Sequence, residues 1–184
     1  MRTLTAIVVA ASLALPVTGF AAGSGGSSDS TKPPSSTKTS KSCFFGKVYD
    51  PATKKCVKAD KSSALDDDTL YGAVRELAYA GKYEHAQVVL AAMDQDDDRV
   101  LTYWGFTHRK MGHAALAEDF YQRALTANPD NILARSYMGQ GYVTVGRVDD
   151  AIAQWKEIVG RGGEGTWAEA SLREAISTGM TYSY

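Results

Sequence analysis

The sequence contains few of the residues that usually carry out catalysis. It has three histidines, His85, His108 and His113, and two cysteines among 184 residues. His108 and His113 are five positions apart across a predicted helix break, so they do not form the i, i+4 pair of a zinc-binding helix. No glycine-rich loop follows a predicted strand, and no Gly-x-Ser-x-Gly motif occurs. These absences favour a non-enzymatic protein without a cofactor and leave an enzyme as the least favoured alternative.

The chain also has little net charge and no apolar run of bilayer length. Its formal charge of −1 conceals two opposed segments. Residues 22–63 carry eight Lys against three Asp, a net charge of +5, whereas residues 64–184 carry 11 Lys/Arg against 18 Asp/Glu, a net charge of −7. The larger segment has no basic face, so we expect no nucleic-acid partner.

Residues 1–21 have the pattern of a signal peptide. Arg2 provides a positive start, the apolar run Leu4–Leu15 follows, and Gly19-Phe20-Ala21 offers small residues for cleavage. The run is too short to span a bilayer, which takes roughly 20 residues. We therefore expect export across an inner membrane to the periplasm, without stable membrane insertion after cleavage. An uncleaved amphipathic or core helix is the alternative.

Two short segments follow the predicted signal peptide. Residues 22–42 are rich in Gly, Ser, Thr, Pro and Lys and lack aromatics, a composition typical of a disordered linker. Residues 43–60 contain both cysteines, and the turn-forming pair Asp50-Pro51 separates two short strand-like runs. An even cysteine count in an exported chain predicts a Cys43–Cys56 disulfide that closes a hairpin. A redox pair and a zinc site are the less favoured alternatives.

Residues 64–184 have helical rather than strand periodicity. A Gly is followed five residues later by an Ala three times, at Gly81/Ala86, Gly112/Ala117 and Gly146/Ala151. The Gly permits the left-handed residue that ends a helix, and the Ala lets the next helix pack closely against it. Tight turns of this kind predict antiparallel helix hairpins.

These copies resemble the tetratricopeptide repeat family, whose pattern is W-x2-L-G-x2-Y, A-x3-F and then P. The middle copy fits best, with Leu101-x2-Trp104-Gly105-x2-His108, Ala117-x3-Tyr121, Ala124 and Pro129. The third copy has Met138-Gly139-x2-Tyr142 and Ala151-x3-Trp155, with Arg135 and Gly163 at the first aromatic and the proline. The first copy is degenerate, with Leu70, Ala73, Leu77 and Ala86-x3-Leu90, and Val74 replaces its glycine.

The resemblance implies an all-α fold, a right-handed superhelical array of about three antiparallel helix hairpins. A last helix from Trp167 to Ile176 has an apolar stripe suited to cap the array. His108, Trp104, Tyr121, Tyr142 and Trp155 are expected to pack in the core. The acidic runs 66–68 and 94–98 are expected to cap helix N-termini rather than bind calcium, because they lack the glycine and distal glutamate of a calcium loop.

In this family the first helix of each hairpin lines a concave groove, which implies a partner-binding surface. The candidates are the residues of these helices that do not match a core position of the pattern. They are Tyr71, Arg75, Tyr79, Arg99, Phe106, Arg109, Ser136 and Gln140. Aromatic and Arg side chains are frequent in protein recognition sites. A solvated helix face is an equally favoured interpretation for any one of them.

Two functions are consistent with this organisation. The first is an exported adaptor or scaffold that binds a peptide or protein in the repeat groove. The second is a cell-envelope attachment protein in which the Cys43–Cys56 hairpin binds carbohydrate or peptidoglycan. The hairpin is loosely similar to small chitin-binding modules, and its aromatics Phe44, Phe45 and Tyr49 are suited either to stack on sugar rings or to pack on the helices. The sequence does not identify the partner or the oligomeric state.

Overall fold

The structure, a computed structural model, describes Cys43, residues 45–60 and residues 65–181. These residues form β1 (Lys47–Asp50), β2 (Lys55–Lys58), α1 (Asp67–Tyr79), α2 (Tyr83–Leu90), α3 (Asp98–Lys110), α4 (Ala114–Ala127), α5 (Ile132–Thr144), α6 (Val148–Gly160) and α7 (Trp167–Thr178). The predicted all-α class is confirmed. The predicted signal peptide 1–21 and linker 22–42, and the hairpin residue Phe44, lie outside the described residues.

The helices pack as consecutive pairs, α1 with α2, α3 with α4 and α5 with α6, and α7 packs on α5 and α6. One turn geometry joins each pair. Gly112 has a φ of 87°, and His113, which follows it, donates its N–H to the carbonyl of His108 at 2.9 Å. Gly81 and Gly146 have equivalent positive φ values and equivalent bonds. The predicted left-handed helix ends are confirmed, and they explain why a glycine recurs at this position.

Acidic side chains begin two of the helices, as the sequence predicts. The Asp66 carboxylate accepts the N–H of Thr69 at 2.6 Å, and the Asp97 carboxylate accepts the N–H of Arg99 at 2.7 Å. Each bond satisfies a backbone donor that has no partner within the helix. Hydrogen bonds from Thr69 hold the pKa of Asp66 below its usual value, as expected for a cap that works as a carboxylate.

A continuous hydrophobic core runs through the stack. The three alanines of the Gly/Ala pattern are buried, and Tyr121 is 1% exposed. A row of edge-to-face aromatic contacts joins successive first helices, with ring centroids 5.5 Å apart for Tyr71 and Tyr103 and 6.3 Å apart for Tyr103 and Tyr137. Tyr137 then meets Trp167 of α7 at 6.3 Å, so the row ends on the capping helix.

The tryptophans of the repeat pattern lie at the edge of this core. Trp104 is partly buried and stacks on Phe120 at 5.6 Å, while its Nε1–H donates to Gln95 at 3.0 Å. Trp155 is also partly buried and donates to Glu169 at 2.8 Å. The ring of His108 stacks on Phe120 at 5.5 Å and is partly exposed, so it also packs at the edge of the core and not inside it.

The N-terminal hairpin packs against the helices. β1 pairs with β2 in an antiparallel register that places Val48 opposite Val57, and Cys43 is bonded to Cys56. The predicted disulfide is confirmed. Val48 is fully buried in the same core as the helices, and Gly46 lies so close to Val88 of α2 that a Cβ there would be 3.0 Å from it. The hairpin therefore contributes to the core as well as to the surface.

Candidate functional site

The structure places most of the predicted groove residues inside the fold. Phe106 and Ser136 are fully buried, Gln140 is 1% exposed, and Tyr71 and Arg75 are also buried. The expectation that these side chains project away from the core is wrong. The rings pack against aromatic side chains of the neighbouring hairpins. Phe106, for example, lies 4.8 Å from the ring of Tyr137 and 6.2 Å from that of Tyr83.

Two of these buried residues hold the capping helix in place. The hydroxyl of Ser136 donates to the carbonyl of Ala168 at 2.7 Å and lies 3.1 Å from the hydroxyl of Ser171. The amide of Gln140 donates to both hydroxyls at 3.2 Å. This network satisfies the polar groups that α5 and α7 bury between them. The packing of the two helices therefore accounts for Ser136 and Gln140 at these positions.

Arg99 also acts within the fold. Its guanidinium pairs with Asp97 at 2.9 Å and with Asp68 at 3.2 Å, and it lies 5.0 Å above the ring of Tyr71. The hydrogen bond to Asp97 raises the pKa of Arg99 above its usual value. Since Asp68 and Tyr71 belong to α1, Arg99 joins the first and second hairpins. Tyr79, by contrast, is 43% exposed at the end of α1.

Arg109 differs from Arg99 because it forms no ion pair with a carboxylate of any described residue. It is half-buried at the end of α3, with its guanidinium 5.6 Å from the ring of Phe106 and 5.9 Å from that of Tyr137. Its Nε–H is buried without a hydrogen-bond partner within the described part of the chain. A partly desolvated cation with a donor that the described residues leave without an acceptor is suited to bind an acceptor from outside the fold.

A small cavity lies beside Arg109, between the second and third hairpins. Its volume, measured over the centres of water-sized spheres, is about 30 Å³. Since one such sphere needs roughly 10–15 Å³, the cavity has room for about two. It is lined by Arg109 of α3, by Ala114, Ala117, Glu118 and Tyr121 of α4, by Met138, Gly141 and Tyr142 of α5, and by Val145.

The hydroxyl of Tyr121 is a second unused polar group in the cavity wall. It is buried and its O–H has no acceptor among the described residues, while its oxygen lies close enough to the Arg109 guanidinium for an N–H of that group to act on it and lower its pKa. Burial raises the pKa of Tyr121 to about 12, and the nearby positive charge of Arg109 opposes that rise only in part. The hydroxyl is therefore a neutral donor at physiological pH.

Two glycines inside helices admit these side chains. A Cβ at Gly105 of α3 would lie 2.5 Å from the ring of Tyr121, and a Cβ at Gly141 of α5 would lie 3.2 Å from the side chain of Arg109. Glycine within a helix is less favourable than alanine by roughly 1 kcal/mol. The close approach that each glycine allows accounts for its presence at these two positions.

The other side of the cavity has its polar groups paired. The hydroxyl of Tyr142 donates to Oε1 of Glu118 at 2.8 Å, and Arg147 donates to Oε2 of the same carboxylate at 2.9 Å. Burial, and then the bond to Glu118, raise the pKa of Tyr142 to about 12. The two walls differ, because one is a hydrogen-bonded network and the other presents two donors that no acceptor of the described residues reaches.

Of the residues that line this cavity, the sequence analysis assigns only Arg109 to a binding site, and it places Tyr121 in the core. The available signal is its hydroxyl, because the family pattern has phenylalanine at this position and the oxygen adds a polar atom that a core does not need. Glu118 carries no signal in the repeat pattern, and the pattern places Tyr142 in the core as well. Their roles depend on which hairpin is adjacent.

No protein-family model matches the chain, and no curated protein or solved structure matches it. The tetratricopeptide relation thus stays a resemblance based on the residues named above. Among the described residues, no helix is long and apolar enough to cross a membrane. Within the same residues, no group of three or more His, Cys, Asp or Glu side chains is placed to hold a metal ion.

Proposed function

We propose that this protein is an exported scaffold that binds a peptide or protein partner at the cavity between its second and third helix hairpins. The observation that carries the proposal is a pair of donors in one cavity wall, Nε of Arg109 and the hydroxyl of Tyr121, for which the described residues supply no acceptor. A buried donor without an acceptor is costly and calls for an explanation, and an acceptor supplied by a bound partner is one that fits this place.

The surroundings of the cavity support a protein ligand. The helices that form it are held by packed neighbours on both sides, which limits the ordering cost of binding. Val145 at its edge is 52% exposed and offers an apolar contact beside the charged group. The Cys43–Cys56 disulfide is compatible with export, because such bonds persist in oxidising compartments. We propose, more specifically, that the exported protein is located in the periplasm.

Site-specific photocrosslinking tests the proposal in cells that make the protein. A photoreactive residue replaces Val145 at the cavity edge or, as a control, the exposed Ala153 of α6, which does not line the cavity. We expect one discrete adduct from position 145, lost on Arg109→Gln, and none of that size from position 153. Equal adducts from both positions, or none from position 145, would contradict a partner at this cavity.

A second candidate function is attachment to envelope carbohydrate through the hairpin. The observation in its favour is Phe45, which is 82% exposed just before β1. An exposed aromatic ring can stack on the face of a sugar ring. Because Val48 is part of the core, deleting the hairpin would damage the fold, so point variants are the appropriate test.

The test is co-sedimentation with insoluble peptidoglycan. Phe45→Ser is compared with Met180→Ser, since Met180 is 71% exposed and follows the last helix. The attachment function predicts that only Phe45→Ser loses binding. Equal sedimentation of both variants would exclude the hairpin as the binding element.

A further inference from the structure

The cavity beside Arg109 has a chemistry that selects among ligands. Two of its polar atoms have no acceptor within the described residues, Nε of Arg109 and the hydroxyl of Tyr121, and both carry hydrogens, whereas both oxygens of Glu118 already accept hydrogen bonds. A ligand that satisfies both donors must therefore supply acceptors, and a negative charge would also compensate the guanidinium.

The size and walls of the cavity narrow the choice further. Its volume of about 30 Å³ admits a group of only a few atoms. Ala114, Ala117 and Met138 line it with apolar surface. A planar carboxylate on a short apolar stem fits, because each oxygen meets one donor and the methylene groups meet the apolar wall. A tetrahedral phosphate would leave further charged oxygens against apolar atoms, which is unfavourable.

We propose that this cavity is a carboxylate-binding site that receives the side chain of an Asp or Glu residue of the partner. The inference rests on the proposed function for the origin of the carboxylate. The Glu118 carboxylate faces the same cavity, but it accepts hydrogen bonds from Tyr142, Gln122 and Arg147, and it forms no ion pair with Arg109 in the described part of the chain.

The protein carries a structural cost for this arrangement. Gly105 and Gly141 weaken α3 and α5, two of the three helices that line the cavity, and they let the Tyr121 ring and the Arg109 side chain approach. A phenylalanine at position 121 would fill the same volume without burying an unused hydroxyl. The hydroxyl thus has a use in binding that packing does not provide.

The test is a titration of the full-length, ¹⁵N-labelled protein with sodium acetate, followed at the side-chain Nε–H of Arg109 by NMR. Sodium chloride at equal ionic strength is the control, and the resonance is assigned by its loss in Arg109→Gln. We expect a saturable shift with acetate and none with chloride. Tyr121→Phe should weaken acetate binding at least tenfold, because it removes one of two donors to a charged ligand. Tyr83→Phe, which lies outside the cavity, should leave it unchanged.

A shift that is the same for both salts, or an acetate affinity unchanged by Tyr121→Phe, would overturn the inference and leave a hydrated cavity. Tyr121→Phe keeps the test decisive if Arg109→Gln fails to fold. The acetate titration needs no partner, so its outcome is separate from that of crosslinking at position 145. Acetate binding without a crosslinked partner would refute the scaffold function and keep the carboxylate site. A crosslinked partner without acetate binding would keep the scaffold function and refute the carboxylate site.

Discussion

Tyr121→Phe removes one oxygen from the cavity between the second and third hairpins and leaves the buried ring in place. A buried hydroxyl without a partner destabilises a fold by about 1–3 kcal/mol. The lost oxygen also enlarges the cavity slightly, at about 24 cal/mol per Å³, which offsets a few tenths of a kcal/mol. We therefore expect Tyr121→Phe to increase the free energy of unfolding by about 1 kcal/mol, which corresponds to roughly 4 °C in melting temperature for a domain of this size.

Tyr142→Phe is the matched comparison, because it makes the same chemical change in the same cavity. The Tyr142 hydroxyl donates to a carboxylate at 2.8 Å and is lost together with that bond. Hydrogen bonds to charged groups contribute about 1.5–3 kcal/mol, so this variant should be destabilised by about that amount. Two substitutions of identical chemistry should thus change stability in opposite directions.

Urea unfolding followed by circular dichroism measures both variants. A change in the midpoint at a constant slope reports a change in native-state stability. If Tyr121→Phe is destabilised as much as Tyr142→Phe, the Tyr121 hydroxyl has a partner, such as a bound water with its own acceptors. That outcome would refute the reasoning from unused donors.

Three further predictions concern other properties of the fold. Gly105→Ala should lower the free energy of unfolding in urea by about 1–3 kcal/mol, because its Cβ would lie 2.5 Å from the Tyr121 ring. The control Gly160→Ala should be neutral or stabilising, because a Cβ there would have no packing neighbour within 4 Å. Equal effects of the two substitutions would contradict the packing argument. The pKa of Tyr121 is about 10 in the unfolded chain and about 12 in the folded chain, so deprotonation favours unfolding as pH rises through that interval. Tyr121→Phe should therefore lose less stability than wild type from pH 9 to pH 11.5. Reduction of Cys43–Cys56 should loosen the hairpin and lower the unfolding midpoint, while circular dichroism at 222 nm retains most of its helical signal before unfolding; loss of that signal on reduction would show that the helices depend on the disulfide.

The fold could be predicted because its main constraints are local. A left-handed residue must end the first helix of each hairpin, and Gly81, Gly112 and Gly146 meet that need without strain. The alanine five residues later is required for the close packing of two helices. Both constraints act within one hairpin, so the Gly/Ala pattern recurs in each copy and can be recognised in the sequence without knowing which hairpins are adjacent.

The candidate site could be predicted only in part, because burial of the groove residues depends on adjacent hairpins. Phe106 does not match a core position of its own repeat, yet Tyr83 and Tyr137 of the neighbouring hairpins cover it. Arg99 and Arg109 occur on the same helix, and nothing in their spacing indicates that Arg99 has acidic partners whereas Arg109 has none among the residues that the structure describes. Such distinctions require the arrangement of three hairpins in space.

The covering elements at the two sides of the stack constrain how such a protein can change in length. The disulfide-closed hairpin packs on α1 and α2 through Val48 and Gly46, and α7 is held to α5 by the Ser136 network. An additional hairpin placed between either cover and its neighbour would have to reproduce these specific contacts. A duplication of the middle hairpin would keep both sets of contacts intact, because the residues that form them do not belong to α3 or α4. We therefore expect viable lengthening by duplication to occur inside the array, and each internal duplication would also create a second copy of the Arg109 and Tyr121 wall.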